Sequence, residues 1–354
     1  MSESKVMVQL LRREINTNDR VLGKVHFSVP SFTPRMTLRL SFIGEESVRW
    51  FVRETKANSG EAGESIVEKK GHRQLANINF YEKVFEGLQP GFHSLDFVLS
   101  VAGSGLPGTL NLKWHEIGNC FANLYYFVNA ELFEGSRRVA AHSEPVILVQ
   151  DIESLPQEES RPSVYQVKGC CYKDYGPCTV KVLSNKLVFQ SREEAVIKCE
   201  LDNSKCLVAA KYIELQFVRR LTLRSLEGVF NRDTVVTSAR LSGVMPGDTR
   251  LGEDAFKFHV LLNPTNDLPP TTVGSLIENS YFFRLKVAHD VFCHWCYDQI
   301  RDVKVIMGHP KAKISDEEMN YPSLDVGEED AIKHESVTST INSSSLISQT
   351  PLMD

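Results

Sequence analysis

The chain has 354 residues, of which 42% are hydrophobic and 24% charged, and its formal net charge is -5. These values are typical of a globular protein of two domains, and so small a charge gives no argument for nucleic-acid binding. The start at Met1–Lys5 carries no apolar stretch and no run is long enough to cross a bilayer, so neither a signal peptide nor a membrane span is predicted. Eight cysteines in such a chain indicate reduced thiols rather than a disulfide framework.

Apolar and polar residues alternate through the first 150 residues, which predicts strands. The pattern is clearest at 36–42, where Met36, Leu38, Leu40 and Phe42 share one face, and 48–52 extends this strand. The Gly-, Glu- and Ser-rich segment 57–71 is predicted to be a loop. The other strands predicted here are 5–11, 21–29, 78–85, 92–101, 124–133 and 137–149.

The same pattern continues from 163 to 308, after an acidic, proline-bounded segment that we interpret as a linker at 151–162. From 309 to 354 apolar residues become rare and acidic and serine clusters appear, so we predict a disordered tail. The predicted domains are therefore 1–150 and 163–308. The strands predicted in the second domain are 164–171, 179–189, 195–201, 210–224, 235–244, 256–262, 281–287 and 299–307.

A Leu-Pro pair recurs at matching places in the two halves. Leu106-Pro107 lies seven residues past Leu99, and Leu268-Pro269 lies seven residues past Leu261. Each pair precedes a strand that opens on an aromatic residue, Tyr125 or Tyr281. The repeat predicts a duplicated domain. The fold class is therefore predicted to be all-β, with two tandem immunoglobulin-like β-sandwiches.

The order and spacing of several short motifs resemble the arrestin fold, and specifically the arrestin-domain-containing proteins of the α-arrestin type. The resemblance covers roughly residues 5–308. Its first-half motifs are Leu40-Ser-Phe-Ile-Gly, Val48-Arg-Trp, Gly91-Phe-His, Leu106-Pro-Gly-Thr-Leu and Tyr125-Tyr-Phe-Val-Asn-Ala. Its second-half motifs are Cys170-Cys171, Gly176-Pro-Cys, Glu193-Glu-Ala-Val-Ile, Asp202-Asn-Ser and Leu268-Pro-Pro-Thr-Thr.

The resemblance implies a cytosolic adaptor, peripheral to the plasma membrane or endosomes, that binds receptor or transporter tails and directs their endocytosis or sorting. The family also implies a ubiquitin ligase as partner, but the chain lacks the Pro-Pro-x-Tyr motif that recruits one directly. A structural coat subunit of the retromer type, which shares the fold, is the alternative. Neither interpretation requires a catalytic residue, a cofactor or a metal.

Four basic residues, Lys5, Arg12, Arg13 and Lys24, lie on or beside the first two predicted strands. In arrestins, basic residues on the first strand meet phosphates of the receptor tail, and Arg suits this because it binds phosphate bidentately. These four residues are the candidate cargo-binding site. An ordinary solvated strand face is the other interpretation.

Two motifs resemble chemical signatures. Gly103-Ser-Gly-Leu-Pro-Gly108 has dinucleotide-binding spacing, but a strand-like pattern follows where that motif needs a helix. Cys293-His-Trp-Cys296 has redox spacing, and Cys170, Cys171 and Cys178 could join it in a zinc site. Packing thiols are the simpler interpretation of these cysteines. No hydrolase motif occurs, since His115-Glu-Ile-Gly-Asn lacks the second histidine.

The tail contains Tyr321-Pro-Ser-Leu324, which fits the Tyr-x-x-Φ signal read by clathrin adaptors. Other matches, such as Tyr212-Ile-Glu-Leu, fall in predicted strands whose backbone is already paired. Tyr321 and Leu324 are therefore a candidate sorting motif that a partner would bind as an extended peptide. A chance match in a polar tail is the alternative.

Overall fold

The computed structural model describes residues 3–55, 64–114, 120–150, 162–169, 173–184, 186–262, 268–291, 299–308 and 337–340. About three quarters of these residues lie in strands, and the one helical element among them is a 3-10 turn at Gly252–Asp254. The prediction of an all-β protein is confirmed. In the described residues no helix is long and apolar enough to span a membrane.

The N-terminal half, residues 3–150, forms two sheets. Its strands are β1 (Lys5–Leu10), β2 (Glu14–Asn16), β3 (Arg20–Val29), β4 (Thr33–Thr55), β5 (Glu64–Leu88), β6 (Gly91–Ser100), β7 (Leu110–Trp114), β8 (Cys120–Glu134) and β9 (Arg137–Val149). One sheet has the order β1-β3-β6, and the other has the order β2-β9-β8-β4-β5 with β7 paired to β8. The two sheets enclose the first hydrophobic core between them.

The C-terminal half, residues 162–308, also forms two sheets around a core. Its strands are β10 (Ser163–Lys168), β11 (Asp174–Ser184), β12 (Val188–Phe189), β13 (Glu194–Asp202), β14 (Ala210–Ser225), β15 (Gly228–Val244), β16 (Thr249–Arg250), β17 (Phe256–Leu261), β18 (Thr272–Val273), β19 (Ile277–His289) and β20 (Gln299–Met307). One sheet has the order β10-β11-β13, with β16 and β17 both paired to β13. The other has the order β12-β20-β19-β14-β15, with β18 paired to β19.

The alternation seen in the sequence corresponds to buried and exposed faces. The four apolar side chains predicted to share a face of β4, from Met36 to Phe42, are all buried. So are Tyr281, Phe283, Leu285 and Val287 of β19. Because the side-chain period of a strand is two, these residues fix which face of each sheet is turned to its core.

The Leu-Pro connection of each half is held by a buried tyrosine. The hydroxyl of Tyr126 donates to the carbonyl oxygen of Pro107 at 2.8 Å, and that of Tyr281 donates to Pro269 at 2.7 Å. Each tyrosine ring also stacks on a phenylalanine of the neighbouring strand: Tyr126 on Phe42 with centroids 5.7 Å apart, and Tyr281 on Phe217 at 5.4 Å. The two Leu-Pro pairs thus correspond to a repeated contact, but in the first half the tyrosine is Tyr126 and not the predicted Tyr125, which is exposed and bonds Glu45.

Gly44 on β4 leaves the space that the Tyr126 ring occupies. A Cβ at residue 44 would lie 2.6 Å from the ring of Tyr126, its register partner on β8. A contact that short is well inside the van der Waals distance, so a side chain here would displace the ring. Glycine at this position therefore permits the stacking on Phe42.

The two halves share buried surface at their junction. Leu221 and Leu223 of β14 and Ile277 of β19 belong to the first core, although they lie in the C-terminal half. The rings of Trp50 on β4 and Phe230 on β15 also meet, with centroids 6.4 Å apart. The end of the β14–β15 hairpin is therefore packed onto the N-terminal half.

Three predictions differ from the structure. The strand predicted at 179–189 is two strands in different sheets, since β11 ends at Ser184 and β12 covers Val188–Phe189. Residues 64–71, predicted as loop, continue β5 and pair with the long β4, which supplies the ladder partner that local composition does not reveal. In the predicted disordered tail, β21 (Val337–Thr340) pairs parallel with β6 and extends its sheet. Its Val-Thr-Ser-Thr sequence has high strand propensity. The rest of the tail, and the linker apart from Pro162, lie outside the described residues.

The tyrosine contacts predict a matched pair of stability losses. We expect Tyr126→Phe and Tyr281→Phe each to lower the free energy of unfolding by about 1–2 kcal/mol, because a proline carbonyl loses its hydroxyl donor. Pro269 keeps a weaker donor, since Nδ2 of Asn279 lies 3.4 Å from its carbonyl oxygen. Tyr125→Phe is the control, since its half-exposed hydroxyl donates to Glu45 on the surface, and it should cost within about 0.5 kcal/mol. Urea unfolding of the three variants measures this, and equal losses in all three would contradict the assignment.

Candidate functional site

The predicted basic residues lie on one sheet but not in one cluster. Lys5 opens β1 opposite Ser28, whereas Lys24 of β3 is opposite Gln9, near the other end of β1. At the usual rise per strand residue, Lys5 is about 13 Å along the sheet from Lys24. Arg12 and Arg13 follow β1 in the connection to β2, at the Lys24 end. The structure therefore brings Arg12, Arg13 and Lys24 to one end and leaves Lys5 apart.

Two of these side chains already have carboxylate partners. A guanidinium nitrogen of Arg13 lies 2.7 Å from Glu144 of β9, and the ammonium of Lys24 lies 3.3 Å from Asp96 of β6. Over the described ranges, Lys5 and Arg12 form no ion pair. An anionic ligand would meet Arg12 directly, but it would compete with Glu144 for Arg13.

The face that carries Lys24 is exposed and mixes polar side chains with the apolar Met7, Leu22 and Phe92. In register across the sheet, Gln9, Lys24 and Asp96 form one row, and the side chain of Gln9 also bonds the His26 ring at 3.0 Å. The β1 edge of this sheet is covered at Val8, whose N–H donates to Nδ1 of His142 at 3.2 Å. An extended ligand would therefore meet a side-chain surface here rather than an open backbone edge at Val8.

The remaining sequence motifs add no chemical site in the described residues. The Gly103–Gly108 segment is followed by β7, not by the helix that a dinucleotide site needs. Cys178 is buried and its thiol pKa is raised by desolvation to about 11, whereas Cys170, Cys171, Cys293 and Cys296 lie outside the described residues. Tyr321 and Leu324 also lie outside them. No described group of histidine, cysteine and acidic side chains could hold a metal.

The structure shows a charged network that was not identified from the sequence. On the outer face of the β15-β14-β19-β20 sheet, Arg284 lies 2.8 Å from Asp302 and 2.7 Å from Asp233. Arg220 binds Asp233 through two hydrogen bonds of 2.7 and 2.8 Å, and its guanidinium lies 4.7 Å from the centre of the Phe282 ring. The sequence alone gave no signal for this network. The direct pairing of Arg284 with Asp302 follows from the β19–β20 register, which only the structure shows.

This network lies on a partly buried face and fixes charge. Val218 and Gln216, two and four residues before Arg220 on the same face of β14, are buried. The bonds from Arg220, followed by those from Arg284, hold the pKa of Asp233 down at about 2. Both arginines are thereby neutralised, so the network itself offers little free positive charge to a ligand.

No family model and no curated protein matches this sequence.

The lowered pKa of Asp233 predicts a pH-dependent contribution to stability. The ionised carboxylate is favoured in the fold, so its contribution is fully present above the ordinary value of 3.8 and is lost as pH falls through about 2. We expect Asp233→Asn to lower the free energy of unfolding by about 1–2 kcal/mol at neutral pH. The difference in the free energy of unfolding between Asp233→Asn and wild type should shrink as pH falls from about 4 to about 2.

Asp96→Asn is the matched control, because it removes a more exposed carboxylate from the Lys24 pair. Exposed pairs contribute about 0–1 kcal/mol, so this change should be small at every pH. Denaturant unfolding across the pH range measures both variants. A loss for Asp233→Asn that stays constant down to pH 2 would contradict the role of its ionisation.

Proposed function

We propose that this protein is an arrestin-like adaptor that binds acidic or phosphorylated cytoplasmic tails of membrane receptors or transporters and directs their endocytosis or intracellular sorting. The repeated tyrosine contact to a Leu-Pro connection, on two halves that each enclose a core between two sheets, is the observation that carries the proposal. It supports the resemblance drawn from the sequence motifs, including two tandem sandwiches.

Cargo would be recognised at the Arg12 end of the first sheet. Arg12 offers an exposed guanidinium, which suits a phosphate or carboxylate because its planar fork donates two parallel hydrogen bonds. Arg13 and Lys24 lie at the same end and could exchange Glu144 and Asp96 for a ligand anion. Because these groups are exposed, binding would be strongest at low salt.

Downstream partners would act through the tail. Tyr321 and Leu324 supply the candidate signal for a clathrin adaptor, in which alternate side chains fill pockets of the partner. The acidic run Asp316-Glu-Glu just before it would suit a basic rim. Without a Pro-Pro-x-Tyr motif in this chain, a ubiquitin ligase would be recruited through another protein.

Purification from cells separates the adaptor from a retromer-type coat subunit. An adaptor should recover substoichiometric partners, and which partners it recovers should depend on the cargo that the cells express. A coat subunit should instead recover fixed partners in constant ratio, whatever the cargo. Constant stoichiometric partners would therefore replace the adaptor proposal by the coat one.

A charge-reversal pair tests the cargo surface. We expect Arg12→Glu with Arg13→Glu to weaken binding to a phosphorylated cargo tail by tenfold or more at low salt, a loss of roughly 1.4 kcal/mol, with a smaller effect at high salt. Arg35→Glu with Arg137→Glu is the control, since it makes the same charge change at two other exposed arginines of this half. Equal losses in the two double variants would show a general charge effect and remove Arg12 and Arg13 from the site.

The tail motif is tested in the full-length chain. We expect Tyr321→Ala with Leu324→Ala to reduce recruitment to clathrin-coated sites in cells, because both pocket-filling side chains are lost. Asn320→Ala with Ser323→Ala changes the neighbouring positions and should leave recruitment intact. Unaltered recruitment in the first double variant would show that the motif is incidental.

A further inference from the structure

Glu46 is an acidic residue at the junction between the halves. It lies on β4, and its exposed fraction is 0%. A buried carboxylate is costly unless hydrogen-bond donors replace the water it has lost. The groups around Glu46 therefore show what the site is built to hold.

The donors are three consecutive backbone N–H groups of the other half. Oε1 of Glu46 accepts from Ile277 at 2.7 Å, and Oε2 accepts from Ser275 at 3.1 Å. The N–H of Leu276 also bonds this carboxylate. Successive N–H groups that converge on one point form a concave anion-binding nest.

The nest is shaped for a carboxylate and is held in place independently of it. A Cβ on Gly274 would lie 2.2 Å from Oε1 of Glu46, so only glycine leaves room for the anion. The turn is closed by Gly274 N–H, which donates to Ile277 at 2.7 Å. It is tied to β14 by Arg224 N–H, which donates to Leu276 at 2.8 Å.

The neighbouring Glu45 shows that the contact is specific to one side chain. Glu45 bonds the hydroxyl of Tyr125 and the ring of His72 at 3.3 Å, on the exposed face of the sheet. Burial raises the pKa of Glu46, while the three N–H bonds and the Arg73 charge oppose that rise. For Glu45, the bond from Tyr125 lowers the pKa.

We propose that residues 274–277 form a backbone anion site for a carboxylate, which Glu46 of the N-terminal half occupies within the same chain as a latch between the halves. The donors and the acceptor are 229 and 231 residues apart in sequence. The site adjoins Leu221, Leu223 and Ile277, the C-terminal residues of the first core. This inference concerns the junction and does not rest on the proposed adaptor function.

The proposal is tested by removing the carboxylate and supplying another. We expect Glu46→Ala to lower the folding equilibrium constant by roughly tenfold to a hundredfold, since three N–H groups lose their acceptor. Sodium formate should restore part of that stability, whereas sodium chloride at equal concentration should not. Glu45→Ala is the control, and it should respond identically to the two salts. An identical response of Glu46→Ala to formate and chloride would overturn the anion site.

A second variant keeps the test decisive if Glu46→Ala does not fold. Glu46→Gln keeps the shape and one acceptor oxygen but replaces the other oxygen with a donor that faces an N–H group. We expect faster hydrogen exchange than in wild type at whichever amide, Ser275 or Ile277, faces the new NH2 group, with exchange in β11 and β13 unchanged. Wild-type exchange at both amides in Glu46→Gln would overturn the latch.

Discussion

A proline-bounded connection between strands has carbonyl groups that no ladder satisfies, and in both halves of this protein a buried tyrosine hydroxyl binds one of them. Tyr126 and Tyr281 can do so because each lies in an interior strand of its sheet, β8 or β19, and is fixed by stacking on a phenylalanine. An unsatisfied buried carbonyl is costly, so this contact determines where each connection lies against its core. The short strands β7 and β18, which follow the connections, are placed by it.

Features that depend on local periodicity could be predicted from the sequence. The alternation of Met36 to Phe42 was sufficient to assign the buried face, and the two Leu-Pro pairs were sufficient to locate the two connections that a tyrosine hydroxyl binds. The prediction was wrong at residues 64–71 and at Val337–Thr340, where pairing depends on a distant strand, β4 or β6. Strand formation there is decided by the neighbour, which outweighs local composition.

The candidate sites were harder to predict, because their character depends on partners far away in sequence. The basic residues at 12, 13 and 24 were identified, but nothing nearby in the sequence shows that Glu144 binds Arg13 or that Asp96 binds Lys24. Glu46 gave no signal, since Glu45-Glu46 resembles any pair of exposed acids on a strand. Only the fold places Glu46 against Ser275 and Ile277, and it leaves Glu45 with Tyr125.

The shared junction sets how easily the halves could move relative to each other. Separating them would expose Leu221, Leu223 and Ile277, each worth about 1.5–3 kcal/mol when fully buried, and would also break the Glu46 contacts. A ligand shifts the equilibrium between two arrangements of the halves only by the difference between its affinities for them. An anion that binds near Arg12 makes contacts within the N-terminal half alone. The junction therefore gives it no difference in affinity between the two arrangements. A ligand that rotates the halves would therefore have to contact both of them or displace Glu46 from the 274–277 turn.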